Sequence, residues 1–72
     1  MRMFVKLEQR VYRNGGYINT DIAFETNEIA RVLECQDDYS CTNIVTKDGK
    51  VFTIPRKFSD VMCKITEAEV SR

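Results

Sequence analysis

Histidine is absent from this 72-residue chain. Without an imidazole base, Cys35, Cys41, Cys63, Ser40 and Ser59 cannot belong to a Cys–His or Ser–His nucleophile pair. Cysteine is scarce and odd in number, so a complete intrachain disulfide framework is excluded. No two cysteines stand in a CxxC spacing, which together with the missing histidine argues against a structural zinc site. An excess of either charge is also missing, since eleven basic residues balance eleven acidic ones. Nucleic-acid binders usually carry a basic excess, because phosphate contacts dominate their affinity. Nor is there a run approaching the roughly 18 apolar residues of a membrane span. The first residues, Met-Arg-Met-Phe-Val-Lys, enter strand-like alternation without a signal-peptide core. With unpaired cysteines, the expectation is a reducing cytoplasm.

What remains is a small β protein. A chain this short buries only about 60% of its unfolded surface, so it needs a staple or self-association. With disulfides and zinc set aside, self-association is the option left. Met3, Val5, Leu7 and Val11 alternate with Phe4, Lys6, Glu8, Arg10 and Tyr12, the period of a half-buried strand. Asn14-Gly15-Gly16 breaks that period with residues that accept positive φ, and predicts a hairpin loop. Ile18, Ile22 and Phe24 then share one side of a second strand. Thr20 interrupts that side and is a place for a bulge or bend. Ile29 to Cys35 also fits helical spacing, but its shortness and the acidic Gln36-Asp37-Asp38 break favour a strand.

Cys41 to Lys47 and Val51 to Ile54 flank Asp48-Gly49, which predicts a hairpin with a two-residue turn. Pro55 closes the pair, since proline cannot donate to a ladder. Phe58, Val61, Met62 and Ile65 follow at i, i+3, i+4 and i+7, the stripe of a short helix. Residues 66–72 read as a frayed tail. The chain is therefore expected to be one domain of mainly β (α+β) class. It would hold about five short antiparallel strands in a meander or small open barrel, with one C-terminal helix on the apolar face.

Two resemblances attach to particular residues. Tyr17-Ile18-Asn19, Glu28 to Val32, Asn43 to Thr46 with Asp48-Gly49-Lys50, and Ser59-Asp60-Val61 resemble the small FlbD-type proteins associated with bacterial flagella and swarming. That resemblance implies an accessory role in motility, and Asp21 to Thr26 is an insertion relative to it. Asn27 to Val32, Asp38-Tyr39, Val45 to Lys50 and the helix resemble the LytTR-type DNA-binding domain of bacterial regulators over about half the chain. That family's later strands and basic DNA-contacting loops have no counterpart after Ile65, so DNA binding does not carry over.

Several residue sets could bind something. On the outward face of the first strand, Phe4, Lys6, Arg10 and Tyr12 interleave aromatics with cations, which suits base stacking or a protein interface. Glu8 in their midst works against phosphate binding. The same residues could simply cover the core's edge. Arg13 with Asn14, Gly15 and Gly16 could hold an anion such as a nucleotide phosphate on arginine and turn amides, or form a plain turn. Lys47, Lys50, Arg56 and Lys57 make a possible basic patch at one end of the sheet. Glu34, Asp37 and Asp38 could approach a divalent cation, but their spacing matches no calcium loop. As neighbours on a turn, Asp37 and Asp38 also point apart, which does not suit an acid–base pair. Cys35 and Cys41 could face one another across a hairpin, or pack as small apolar residues beside Cys63 at the helix margin. No set amounts to a reaction or a cofactor site. The expectation is a non-enzymatic protein-interaction module, regulatory or inhibitory, that self-associates through an exposed strand edge. A nucleotide or nucleic-acid binder is the alternative.

Overall fold

The computed structural model describes residues 3–70. Its order is β1 (Phe4–Arg13), β2 (Gly16–Glu25), a single 3-10 turn (Thr26–Glu28), β3 (Ile29–Glu34), β4 (Thr42–Thr46), β5 (Val51–Ile54) and α1 (Phe58–Val70). The strands form two open antiparallel sheets, β1-β2 and β3-β4-β5, and no closed barrel. β1 runs alongside β5, so the sheets meet there while their ladders stay separate.

The alternation read in the sequence sets the core. Val5 and Leu7 point inward from β1 and pair across the ladder with Phe24 and Ile22. Ile44, Ile54, Val61 and Ile65 complete a continuous apolar cluster, with Val32, Phe52, Met62 and Ala68 packed against it. Phe24 and Phe52 meet edge to face at 5.2 Å, the preferred geometry for two ring quadrupoles. This contact joins one sheet to the other. Thr42 is the fully buried polar side chain, and its hydroxyl donates to the Arg56 carbonyl at 2.8 Å. That bond satisfies the Thr42 hydroxyl and fixes the chain just after Pro55.

Both hairpins stand where the sequence places them, with turn lengths that differ from the expected ones. The two-residue turn is Asn14-Gly15, with Arg13 paired to Gly16. Both its residues have positive φ, 51° and 79°, as the I′ turn requires. At Asp48-Gly49 only Gly49 has positive φ, 90°. The Gly49 amide donates to the Thr46 carbonyl at 2.9 Å, and the Thr46 amide donates to the Lys50 carbonyl at 2.9 Å. This is a three-residue loop, Lys47 to Gly49, closed by a glycine in the left-handed region. The local cause is the Thr46 hydroxyl, which donates to the Asp48 carboxylate and holds Asp48 at negative φ.

Two further expectations are corrected. The β1-β2 register runs unbroken past Thr20, and the one irregularity among the described ladders is an extra residue, Ala30, in β3. The fraying expected from Thr66 gives way to helix as far as Val70, because Ala68 adds another packed position to the stripe. Ser71 and Arg72 lie outside the described residues.

Candidate functional site

The β1-β2 hairpin is longer than the core it serves. The last ladder pair toward the tip that packs on the core is Leu7, which is buried, with Ile22, which is half-buried. Beyond that pair the two strands continue as an arm from Gln9 to Thr20. The molecule measures 40 × 22 × 20 Å, and a ten-residue strand of about 33 Å accounts for its long axis.

The arm's tip is aromatic and basic. Tyr12 and Tyr17 are opposed across the ladder and meet edge to face at 5.3 Å. They are 64% and 72% exposed. The Arg10 guanidinium lies 5.9 Å from the Tyr17 ring centre, within cation–π range. Arg13 and Asn14 are exposed at the turn, and Ile18 is 43% exposed. Among the described residues the outer edge of β2 carries no strand. Its backbone is open to another chain.

The sequence-derived sets are therefore redistributed. Arg10, Tyr12, Arg13, Asn14 and Gly15 come together at the tip. Phe4 is exposed on the same face of β1 but stands eight residues from Tyr12, about 27 Å along an extended strand. It does not share the tip's surface. Tyr17 and Ile18 join the site without having been singled out. The signal existed, because counting outward from Asn14-Gly15 places Tyr12 opposite Tyr17. Gly16 begins β2 and leaves nothing within 4 Å of a hypothetical Cβ.

The expected basic patch is not one patch. Lys50 precedes β5, and Arg56 and Lys57 follow it. Lys50 borders a hollow with Glu28 and Asp48. Lys57 borders another with Glu34, Tyr39 and Ser40. Arg56 lies with Lys6 and Lys64 around Glu8 and Asp21. Those two carboxylates are opposed across the β1-β2 ladder, a repulsive placement that the three cations offset. Lys47 is exposed, and its amide donates to the Glu28 carbonyl.

The acidic set also comes apart. Asp38 accepts hydrogen bonds from the Ser40 hydroxyl and amide, and its other oxygen is 3.9 Å from Arg10. The Ser40 bonds, with Arg10 adding a smaller pull, hold the Asp38 carboxyl below its ordinary value. Asp48 is lowered in the same way, first by the Thr46 hydroxyl and then by Lys50. Glu34 and Asp37 are exposed, and no three metal-ligating side chains gather among the described residues. Cys63 is exposed on the helix, while Cys41 is buried and Cys35 half-buried. Among the described residues no helix is long and apolar enough to cross a membrane.

No family model, curated protein or solved structure matches the chain.

Proposed function

We propose that this chain is a non-enzymatic protein-interaction module, regulatory or inhibitory in role, whose contact element is the β1-β2 arm. The observation that carries the reading is the arm's outer end, where Tyr12 and Tyr17 stand largely in solvent between Arg10 and Arg13. Folding gains little from holding two tyrosines there. Binding gains much, because Tyr and Arg are among the side chains enriched at interfaces and their hot spots. The open edge of β2 supplies main-chain donors and acceptors for strand addition. Self-association through that edge, with the tyrosines of both copies buried, is the form the module takes in a reducing cytoplasm. An FlbD-type accessory role in motility would be one instance of such binding.

Sedimentation equilibrium at micromolar concentration tests the reading. The wild-type chain should exceed its 8.4 kDa monomer mass. A variant carrying Tyr12→Ala and Tyr17→Ala should return to it. A wild-type monomer at every concentration overturns self-association.

One observation favours a second reading. Arg10 over Tyr17, with Arg13 beside the turn, could clamp a nucleotide base and phosphate. Such binding would weaken steeply with salt, whereas pairing of apolar and backbone groups would not. The Glu8–Asp21 pair at the base of the arm weighs against phosphate.

A further inference from the structure

The β3-β4 ladder pairs Glu34 with Thr42. One step further in the same register sets Cys35 directly opposite Cys41. The backbone follows that step, with the Cys35 amide donating to the Cys41 carbonyl at 3.3 Å. Opposed residues of an antiparallel pair have Cα atoms about 4.5–5.5 Å apart, within the roughly 4.4–6.8 Å that a disulfide spans. Cys41 Sγ donates to the Asp38 carbonyl at 3.4 Å, inside the loop the two cysteines bracket, and the nearby Cys41 thiol helps to keep the Cys35 thiol protonated.

We propose that Cys35 and Cys41 form a reversible disulfide, with glutathione disulfide as the oxidant, that closes the 36–40 loop. Cys35 is half-buried and Cys41 is buried, so the small disulfide reaches Cys35 first. The Cys35 thiolate attacks one glutathione sulfur. A mixed disulfide forms and one glutathione leaves as thiolate. The Cys41 thiolate then attacks the Cys35 sulfur, the protein disulfide forms and the second glutathione leaves. Two electrons pass from the cysteine pair to glutathione disulfide, and the two thiol protons end on the two glutathione thiols. Reduced glutathione in excess reverses both steps.

Burial and the neighbouring thiol push the Cys35 thiol up to about 11, so its thiolate fraction at neutral pH is small and the pair oxidises slowly. The loop it closes carries Asp38, which faces Arg10 at the root of the tyrosine tip. The site belongs to β3 and β4 and stands whether or not the arm binds a partner.

The test is mass spectrometry of the intact wild-type chain and of Cys63→Ser after incubation with glutathione disulfide. Trypsin cuts after Arg31 and Lys47, so both cysteines fall in one peptide, residues 32–47. That peptide should lose about 2 Da, the mass of two hydrogens, lose both alkylatable thiols, and regain them with dithiothreitol. A stable glutathione adduct on peptide 32–47, or two thiols that stay alkylatable, overturns the proposal. In the wild-type chain Cys63 gives a mixed disulfide or an intermolecular link on a different peptide. Oxidation confined to that peptide also overturns the proposal.

Discussion

Replacing Tyr12 and Tyr17 together by alanine should leave the fold standing and remove association. Both rings sit mostly in water, and neither packs on the apolar cluster. Their loss removes one edge-to-face pair, worth about 0.5–1.5 kcal/mol, the Arg10–Tyr17 contact, worth about 0.5 kcal/mol at an exposed site, and a small residue of burial. The whole cost to folding should stay near about 1–2 kcal/mol. At a urea slope of about 1 kcal/mol/M, typical of small domains, the midpoint falls by about 1–2 M. Ile44→Ala is the scale for comparison. Ile44 is fully buried at the centre of the core, and truncation there costs about 2–5 kcal/mol. Association should respond in the opposite order. A tyrosine hot spot contributes at least about 2 kcal/mol, so the double variant should associate at least about 30-fold more weakly. Ile44→Ala, read where it is still folded, should associate like the wild type. Urea titration by circular dichroism and sedimentation equilibrium read the two quantities separately. The reasoning fails if the tyrosine variant unfolds as early as Ile44→Ala, or if it is stable and associates unchanged.

Other outcomes follow from single contacts. Gly49→Ala meets no atom within 4 Å but must hold a φ of 90°, so it should cost about 1 kcal/mol, a drop of about 4–8 °C in Tm for a chain this size. Thr42→Val keeps the buried shape and deletes the bond to the Arg56 carbonyl, which should cost about 1–3 kcal/mol in urea titration. Asp38 and Asp48 have folded-state values below their ordinary ones. The folded state therefore binds fewer protons, and their stabilisation is complete above the ordinary carboxylate range and lost as pH falls through the lowered values. Ser40→Ala and Thr46→Ala should flatten that acid limb in Tm measured against pH. At the alkaline end the raised Cys35 thiol acts with the opposite sign. The unfolded chain releases that proton first, so reduced protein should lose stability from about pH 9 toward pH 11, and Cys35→Ser should not.

Strand positions were legible in the sequence because β1, β2, β4 and β5 repeat with period two and each carries one buried face. Val5 and Leu7 read as sharing the buried face of the first strand and are buried. Turn types were less legible. Asp48-Gly49 and Asn14-Gly15 carry nearly the same dipeptide signal, yet loop length is fixed by register. Register at β4-β5 depends on which of Val51 and Phe52 faces Phe24, a contact with a strand about thirty residues away. The Thr46–Asp48 side-chain bond then settles the longer loop. The basic set failed for a related reason. Lys50 and Arg56 are close in sequence, but an extended β5 holds them at its two ends. The tyrosine pair was accessible by counting from the turn. That counting requires knowing that Asn14-Gly15, and not Gly15-Gly16, is the centre.

The arm's energetics bear on why it exists. A hairpin without a core beneath it is marginal in water, and past Leu7 and Ile22 this one has little beneath it. Its support consists of a favourable I′ turn, the Tyr12–Tyr17 contact, the Val11–Ile18 pair and the Arg10–Asp38 approach. The last is partly exposed at both ends, and such pairs contribute about 0–1 kcal/mol. The sum is enough to keep the arm formed and too little to explain its length as a stabilising device. Trimming the hairpin just beyond Leu7 and Ile22 would keep the core cluster whole and would expose less apolar surface. A stability optimum would therefore be shorter. The extra residues carry two of the chain's three tyrosines and two of its arginines to a place where only another molecule can cover them.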